Sequence, residues 1–282
     1  MPIYFGTAGV PLSTKQRSTE AGIARIRELG LKAMEVEFVH GVRMKEEKAL
    51  QVSEVALKEN VLLTCHAPYY INLNSQEEEK VEASKLRILH TARIAHLMGA
   101  SSIVFHPAFY GKQKSTTVLA KVIKELSEVR EILDQEDNKV ILRPETTGKL
   151  SQFGDLQETL KIAKEIPGVL PCIDVSHLHA RFNGLINSYD EFCEILEQAA
   201  ECLGDYWVKN AHFHISGIEY TGKGEKKHLV LEESDLKYEE LMKAVQSFGL
   251  NGTIICESPN LEEDALLLQK TYLEVESKAA KQ

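Results

Sequence analysis

Seven histidines and carboxylates in this 282-residue sequence lie at the ends of short apolar runs. They are His66, His106, Glu145, Asp174, His177, His212 and Glu257. Imidazoles and carboxylates are the ligands that zinc, and also manganese or iron, takes in proteins. Gathered in one place, such groups would repel one another or be costly to bury unless cations lay among them. The residue types therefore predict a cluster of divalent metal ions, provided that the fold brings them together.

The elements that would bring them together alternate along the whole chain. Short β-branched runs predict strands, and each run is followed by an amphipathic stretch that predicts a helix. The predicted strands are 3–8, 33–39, 62–68, 102–108, 140–147, 169–177, 208–217 and 252–259. The predicted helices are 18–29, 45–60, 78–98, 116–135, 155–166, 189–203, 236–248 and 262–278. Eight such units predict an α/β protein, a (β/α)8 TIM barrel formed as a single domain over residues 1–282.

An open, doubly wound sheet could be built from the same units. Such a sheet would need edge strands less apolar than its central strands, and the sequence shows no such gradient. The run GTAG at 6–9 also lacks the third glycine of a dinucleotide-binding loop. In enzyme barrels the active site lies at the carboxyl ends of the strands. The barrel therefore places the candidate ligands around one cavity mouth, where Asp174 and His177 would serve different ions of a cluster.

Composition limits the partners and the location of the protein. Lys and Arg number 33 against 42 Asp and Glu, and the formal charge of −9 disfavours a broadly basic nucleic-acid binder. Bound metal ions and a locally basic rim would still permit DNA. The sequence has neither a membrane-length apolar run nor a signal peptide, and its five cysteines are an odd count. We expect free thiols and a cytoplasmic monomer without a membrane or protein partner.

Short motifs around the candidate ligands follow one another in a set order. They are HAPYYINL at 66–73, FHP at 105–107, PETTGKLSQFG at 144–154, CIDVSHLHA at 172–180, AHFHISG at 211–217, His228 and CESP at 256–259. In this order the chain resembles the endonuclease IV family of apurinic/apyrimidinic endonucleases (AP endonuclease family 2), within the xylose isomerase-like TIM barrels. HAPYYINL is the most specific motif, because sugar isomerases on the same barrel do not usually carry it.

The resemblance implies a centre of two or three zinc ions, with manganese as an alternative. The implied ligands of the first ion are His66, His106 and Glu145, of which Glu145 would bridge to the second ion. The second ion would be completed by Asp174, His212 and Glu257. The third ion would be held by His177 and His228.

The resemblance also implies an activity. Members of the family cut DNA on the 5′ side of an abasic site, leaving a 3′-hydroxyl and a 5′-deoxyribose phosphate, in base excision repair. Damaged double-stranded DNA is therefore the implied partner. Two dications that share a water lower its pKa toward neutrality, and Glu145 would be the catalytic residue that orients the resulting hydroxide.

Contacts to the DNA are implied as well. Tyr69 and Tyr70 match the positions where the family inserts side chains at the lesion, as wedges that unstack neighbouring bases. Basic residues expected in loops on the mouth side could contact phosphates. These are Arg43, Lys112, Lys114, Lys149, Arg181, Lys223, Lys226 and Lys227.

Two positions depart from the family pattern. The family has an aspartate, a ligand of the third ion, two residues before the histidine that matches His228, and this chain has Lys226 there. A protonated lysine offers no lone pair to zinc, which leaves Glu225, His214 and His179 as candidate replacements. The family's first strand also carries a histidine, where this chain reads FGTAGVP. Two ions, however, suffice for phosphodiester hydrolysis in other enzymes.

Two other functions fit the same residues. A sugar or keto-sugar isomerase or epimerase would use Glu145 and Glu257 for proton transfer beside a carbonyl, around a single metal ion. A lesion-binding protein would keep the DNA-facing loops and lack cleavage. Metal stoichiometry distinguishes the enzymes, because the isomerase predicts one ion per chain and the nuclease two or three.

Overall fold

Residues 3–279 are described by a computed structural model, and they form twelve strands and nine α-helices. The strands are β1 (Ile3–Ala8), β2 (Ala33–Glu37), β3 (Leu62–His66), β4 (Ser102–Phe105), β5 (Ala108–Phe109), β6 (Ile141–Pro144), β7 (Gln152–Phe153), β8 (Ile173–Asp174), β9 (Ala211–Ile215), β10 (Gly217–Thr221), β11 (Gly224–Leu229) and β12 (Gly252–Cys256). The helices are α1 (Thr19–Glu28), α2 (Glu46–Glu59), α3 (Glu78–Leu97), α4 (Ser115–Gln135), α5 (Leu156–Glu165), α6 (Val175–Arg181), α7 (Tyr189–Val208), α8 (Tyr238–Ser247) and α9 (Glu262–Ala279).

Eight of the strands form a closed parallel barrel. In hydrogen-bonded order they are β6, β4, β3, β2, β1, β12, β9 and β8. The two ends of this order meet, because β6 and the residue after it form parallel bridges with the segment before β8, at Leu142–Val169 and Glu145–Cys172. Helices alternate with these strands along the chain. The predicted (β/α)8 TIM barrel of the α/β class is confirmed.

Local sequence signals set the helix boundaries. Asp155 precedes α5 and forms a capping box with Glu158, in which each side chain accepts a backbone amide of the other residue. Gly30 and Gly99 follow the last residues of α1 and α3 with φ of 78° and 69°, a left-handed conformation that closes a helix without a Cβ clash. Together with the periodic pattern of apolar residues, these signals locate the ends of most helices closely.

The mouth of the barrel differs from the prediction in three places. The sequence predicts a sixth strand through residue 177, but α6 begins at Val175, because Asp174 Oδ1 accepts the amide of His177 at 2.6 Å and caps the helix. The segment after β9, expected as a loop, forms the antiparallel hairpin β10–β11. A third difference is the short pair β5–β7, which joins two loops of the mouth.

The state of the cysteines and the apolarity of the helices bear on two further predictions. All five cysteines are free thiols, as predicted. Within residues 3–279, we find no helix with the length and apolarity needed to cross a membrane.

Candidate metal centre

A cavity of about 490 Å³ opens at the carboxyl ends of the barrel strands. Parallel strands all end at the same rim of a barrel, so residues far apart in the sequence meet there. The predicted residues that line the cavity are His66, Tyr69, His106, Glu145, His177, His228 and Glu257. Apart from Tyr69, these residues belong to three groups of possible metal ligands, named groups 1, 2 and 3.

Group 1 consists of His66, His106 and Glu145. These residues end or follow β3, β4 and β6, which are neighbours in the barrel. Glu145 Oε2 lies 3.2 Å from Nε2 of His66 and 2.9 Å from Nε2 of His106. His66 donates from Nδ1 to the carbonyl of Ala67 at 2.8 Å, so the lone pair of Nε2 faces the group. The structure thus brings the three predicted ligands of the first ion together.

Group 2 consists of Glu145, Asp174, His214 and Glu257, whose ligand atoms lie within 4.8 Å of one another. His214 Nδ1 is 3.4 Å from Glu145 Oε1 and 3.2 Å from Glu257 Oε1. The sequence interpretation placed His212 here, and the structure does not. His212 and His214 are two residues apart on β9, so their side chains point to the same side of the strand, into the barrel. His212 comes earlier in the strand and therefore lies deeper, further from the mouth.

Group 3 consists of His177, Glu225 and His228. Nε2 of His177 lies 3.4 Å from Nε2 of His228 and 3.6 Å from Glu225 Oε2. His177 donates from Nδ1 to the carbonyl of Thr146 at 3.0 Å, which turns its Nε2 lone pair toward the group. The structure therefore adds an acidic residue to the two histidines predicted for the third ion.

A β-bulge in the hairpin explains why this residue is Glu225 and not Lys226. Opposite consecutive residues of β10, the partners on β11 are Lys227 and then Glu225, so Lys226 is an extra residue in the strand. In a regular strand residues 226 and 228 would share a face, and the bulge shifts that alternation by one. Glu225 consequently faces the cavity with His228, and Lys226 contacts Glu219 outside it.

The other two candidate replacements lie elsewhere. His214 belongs to group 2, where its Nδ1 faces Oε1 of Glu145. His179 lies on α6 with its Nε2 3.0 Å from Asp235 Oδ1 and its Nδ1 2.7 Å from the carbonyl of Ile186, so both ring nitrogens already have partners. Neither residue reaches group 3.

The donor atoms of group 2 fit a divalent cation. Among the residues that the structure describes, Glu145 Oε1, Asp174 Oδ2 and His214 Nδ1 are buried and have no hydrogen-bond partner. An unsatisfied buried polar atom costs roughly 1–3 kcal/mol, so native proteins seldom keep several of them side by side. A cation that accepted these lone pairs would satisfy all three atoms. Carboxylate and imidazole donors suit zinc or manganese.

The buried acids and imidazoles shift one another's pKa values. Burial disfavours the charged form of Glu145, but His106 and the other imidazoles outweigh it and hold the pKa of Glu145 well below its usual range. Burial raises the pKa of Asp174 to about 7. Although burial opposes protonation of His66, its hydrogen bond to Glu145 raises its pKa to about 10. The nearby carboxylates likewise raise the pKa values of His177 and His214, so without metal these two histidines and His66 carry protons that balance the carboxylates.

The two tyrosines predicted to contact DNA lie at the rim, just past β3. Tyr69 is 56% exposed and Tyr70 is 62% exposed. The ring of Tyr69 has its centroid 5.8 Å from that of His66 and 6.4 Å from that of His106. Tyr69 thus borders group 1, and Tyr70 extends into solvent beside it. Their contact with DNA stays a prediction.

The predicted phosphate-contacting residues divide into three sets. Arg43, Lys112, Lys114, Lys149 and Lys223 lie in loops of the mouth, as expected. Arg181 instead lies on α6, and its guanidinium donates to the carbonyls of Lys149 and Gln152 at 2.8 and 3.1 Å, so it holds the loop after β6 in place. Lys226 and Lys227 lie on β11, where both contact Glu219.

The sequence does not predict two carboxylates of the centre, Glu35 and Glu37. Glu35 on β2 is fully buried and lies 2.8 Å from Nε2 of His214. Glu37 lines the cavity, and burial raises its pKa to about 8. Both belong to the run AMEVEFV, which reads as a strand buried on both faces. Neither face of an enclosed parallel strand meets solvent, so two acids in such a strand indicate buried carboxylates that need partners. This signal could have identified Glu35 and Glu37 from the sequence.

Comparison with known sequences finds relatives along most of the chain. A family model described as xylose isomerase-like TIM barrel matches residues 23–273. An uncharacterized protein of Methanocaldococcus jannaschii is 45% identical over 273 residues, which cover 97% of this chain and 98% of that protein. A probable endonuclease 4 of Mycoplasma pneumoniae is 28% identical over 206 residues, which cover 70% of this chain and 68% of that protein.

Solved structures with the same fold include proteins of two kinds. Endonuclease IV from Thermus thermophilus superposes with a TM-score of 0.75 at 16% identity, over 98% of this chain and 100% of that chain. A D-tagatose 3-epimerase-like protein superposes with a TM-score of 0.74 at 20% identity, over 98% of this chain and 100% of that chain. At these identities the likeness concerns the fold alone, so function has to be argued from the site.

Proposed function

We propose that this chain, which belongs to the xylose isomerase-like TIM barrel family, is a metal-dependent endonuclease that hydrolyses DNA 5′ to an abasic site. The observation that carries the proposal is the contiguity of the three ligand groups in one cavity. Glu145 belongs to groups 1 and 2, and His177 of group 3 has its Nδ1 3.2 Å from Glu145 Oε1 and 3.2 Å from Asp174 Oδ2. Contiguous donor groups suit the two or three ions of a phosphodiesterase better than a single ion.

Each group would hold one ion, with zinc favoured and manganese as an alternative. Group 1 would bind the first, group 2 the second, and group 3 the third. Bound divalent ions would supply Lewis acidity toward the phosphodiester oxygens and would lower the pKa of water. The 28% identity to a probable endonuclease 4 supports this class of reaction.

Glu145 would be the bridging and catalytic residue, and its two oxygens support this role. Its Oε2 faces the Nε2 atoms of His66 and His106, and its Oε1 faces His177 and His214. One carboxylate thus contributes an oxygen to each of two neighbouring groups and sets the distance between them. The same carboxylate would orient the attacking water toward phosphorus.

The distribution of charge supports DNA as the partner. The connections that follow the barrel strands are 9–18, 38–45, 67–77, 106–114, 145–155, 182–188, 216–237 and 257–261, and together they form the mouth. They contain eleven Lys and Arg against nine Asp and Glu, and three of the nine acids are Glu145, Glu225 and Glu257 of the ligand groups. The rest of the chain contains 22 basic and 33 acidic residues. The acidity therefore lies away from the mouth, where phosphates would bind.

Access to the phosphate beside a missing base requires the nucleotide to rotate out of the duplex. Tyr69 and Tyr70 project from the rim next to group 1 and would fill the space that the nucleotide leaves. Aromatic wedges of this kind unstack base steps at a cost that the new contacts offset.

The test is incubation of metal-loaded protein with a duplex that contains one abasic analogue. We expect a single nick on the 5′ side of the analogue, and an intact duplex of the same sequence should stay uncut. Glu145→Gln is the matched control, because it keeps the shape of the bridging side chain and removes its charge. Absence of a nick with zinc, manganese and cobalt alike would contradict the proposal, and binding without a nick would point to a lesion-binding protein.

A sugar or keto-sugar isomerase or epimerase is the second candidate, and one observation favours it. Group 2 by itself supplies four donors to a single ion. Three of them are carboxylates, of which Glu145 and Glu257 would suit proton transfer beside a carbonyl. The histidines of group 1 and all of group 3 would have no part in that reaction. Elemental analysis of the purified protein separates the two candidates, since one ion per chain favours the isomerase and two or three favour the nuclease.

A further inference from the structure

The ligand histidines are oriented in two different ways. His66, His177 and His228 each have Nδ1 near a backbone carbonyl, at 2.8, 3.0 and 3.3 Å, and present Nε2 to the ligand groups. His214 is reversed, because its Nδ1 faces Glu145 and Glu257. Its Nε2 has no backbone carbonyl as a partner among the described residues and lies 2.8 Å from Oε1 of Glu35.

The surroundings of Glu35 hold this carboxylate in one orientation. Glu35 is fully buried, and its Oε2 accepts a hydrogen bond from Thr64 Oγ1 at 2.7 Å. Nε2 of His212 lies 3.2 Å from the same oxygen. The hydroxyl of Thr253 is 2.5 Å from Nδ1 of His212, and Nε2 of His212 lies 3.3 Å from Nε2 of His214, so only one of these two facing nitrogens can carry the proton between them. Thr64 thus satisfies Oε2, whereas Oε1 is buried without a hydrogen-bond partner and faces Nε2 of His214, whose proton it could accept.

We propose that Glu35 is a positioning residue, which accepts the Nε2 proton of His214 and thereby keeps the Nδ1 lone pair directed at the ion of group 2. This inference rests on the proposed metal centre. A carboxylate that accepts the second N–H of a ligand histidine fixes the tautomer and the ring orientation and raises the basicity of the ligand atom. Loss of such a partner typically weakens metal binding about 10–100-fold.

The same interior cluster could be taken for an ion site of its own, since Cys172, His212 and His214 each have a donor atom within 4.8 Å of the others. Both ring nitrogens of His212, however, already have neighbours, Nδ1 with Thr253 and Nε2 with Glu35 and His214. The hydrogen bonds therefore favour an interior network that supports His214 over a further metal ion.

The test is a cobalt titration of metal-free protein against a competing chelator, with each binding step resolved. Glu35→Gln keeps the volume of the side chain and removes its charge, and Glu35→Asp keeps the charge and withdraws it from His214. We expect both variants to weaken one cobalt step about 10–100-fold and to leave the other steps within about 3-fold. Glu125→Gln is the matched control, since it removes the charge of another buried carboxylate, which pairs with Lys85 on the helices outside the barrel, and it should leave every step unchanged.

The outcomes separate this inference from the proposed function. Circular dichroism of each metal-free variant checks that the barrel is intact. Because Glu35→Gln and Glu35→Asp would perturb the fold in different ways, the test can be read from either variant, provided that it folds. Wild-type cobalt affinity in that folded variant would overturn the role of Glu35. A weakened step in a protein that does not cut abasic DNA would support Glu35 and overturn the endonuclease. Wild-type protein that binds no cobalt would overturn both.

Discussion

Glu225 and Lys226 are neighbours on β11, but only Glu225 faces the ligand groups: its Oε2 lies 3.6 Å from Nε2 of His177, while Lys226 contacts Glu219 at 2.5 Å. The bulge at Lys226 reverses the alternation of side chains, so an acid reaches group 3 from one position earlier in the chain. Gly148 makes room for it, since a Cβ there would lie 2.6 Å from Cβ of Glu225.

This arrangement predicts opposite results for two adjacent substitutions. Glu225→Gln should lower the metal content of the purified protein by one ion per chain, because an amide is a poorer ligand than a carboxylate. Lys226→Ala should leave the metal content unchanged, because its side chain points away from the cavity. Elemental analysis after gel filtration measures both. An ion lost with Lys226→Ala and kept with Glu225→Gln would contradict the role of the bulge.

Removal of metal should destabilise the protein without unfolding it. The barrel has a large apolar core of its own, and the ions would serve mainly to satisfy buried donors such as Asp174 Oδ2. Free metal at a hundredfold excess over Kd stabilises the folded state by about 2.7 kcal/mol per site. We expect a chelator to lower the thermal unfolding midpoint, and added zinc to restore it. Equal midpoints with and without metal would count against occupied sites.

The exposed tyrosines should matter for DNA and little for stability. Tyr69→Ala and Tyr70→Ala should each weaken binding to an abasic duplex by about 1–3 kcal/mol, the usual contribution of a base stacked on an aromatic ring. Tyr206→Ala is the matched control, because Tyr206 is 53% exposed on α7 and lies outside the cavity lining. Fluorescence anisotropy gives the affinities. If all three variants bound the abasic duplex with the same affinity, the prediction that Tyr69 and Tyr70 contact DNA would be wrong.

A pH-dependent contribution to stability should come from Glu262. Its carboxylate accepts the amides of Leu12 and Ser13 at 2.8 and 2.7 Å and joins the loop after β1 to α9. Burial opposes its ionisation, but these hydrogen bonds prevail and lower its pKa in the folded protein. The stabilisation is therefore complete above the unfolded-state pKa and is lost as the pH falls through the folded-state pKa.

Glu262→Gln should accordingly lower the free energy of unfolding by about 1–3 kcal/mol at pH 7, and the deficit should shrink in acid. Urea unfolding at several pH values measures the difference. The exposed neighbour Glu263, substituted in the same way, is the control and should show little change at any pH. A deficit that stays constant down to acid pH would show that ionisation of Glu262 is not its cause.

Periodicity located the eight βα units, because strand and helix periods are local properties of the chain. It predicted α2 at 45–60, and the helix spans Glu46–Glu59. It did not predict the hairpin β10–β11 or the helix α6. The hairpin is polar and half exposed, so it lacks an apolar alternation, and α6 begins where a capping aspartate interrupts an apolar run.

The ligands of group 1 were predictable from the chain alone, because His66, His106 and Glu145 each end or directly follow an apolar strand, and parallel strands end at one rim. His212 and His214 could not be separated in that way. They are two residues apart, so the strand period puts both on the same face, and only the tilt and stagger of the closed barrel set which of them reaches the mouth. Glu225 likewise depends on a bulge that exists only when β11 pairs with β10. Depth in a barrel and register across a hairpin arise from contacts between distant segments, which no local pattern contains.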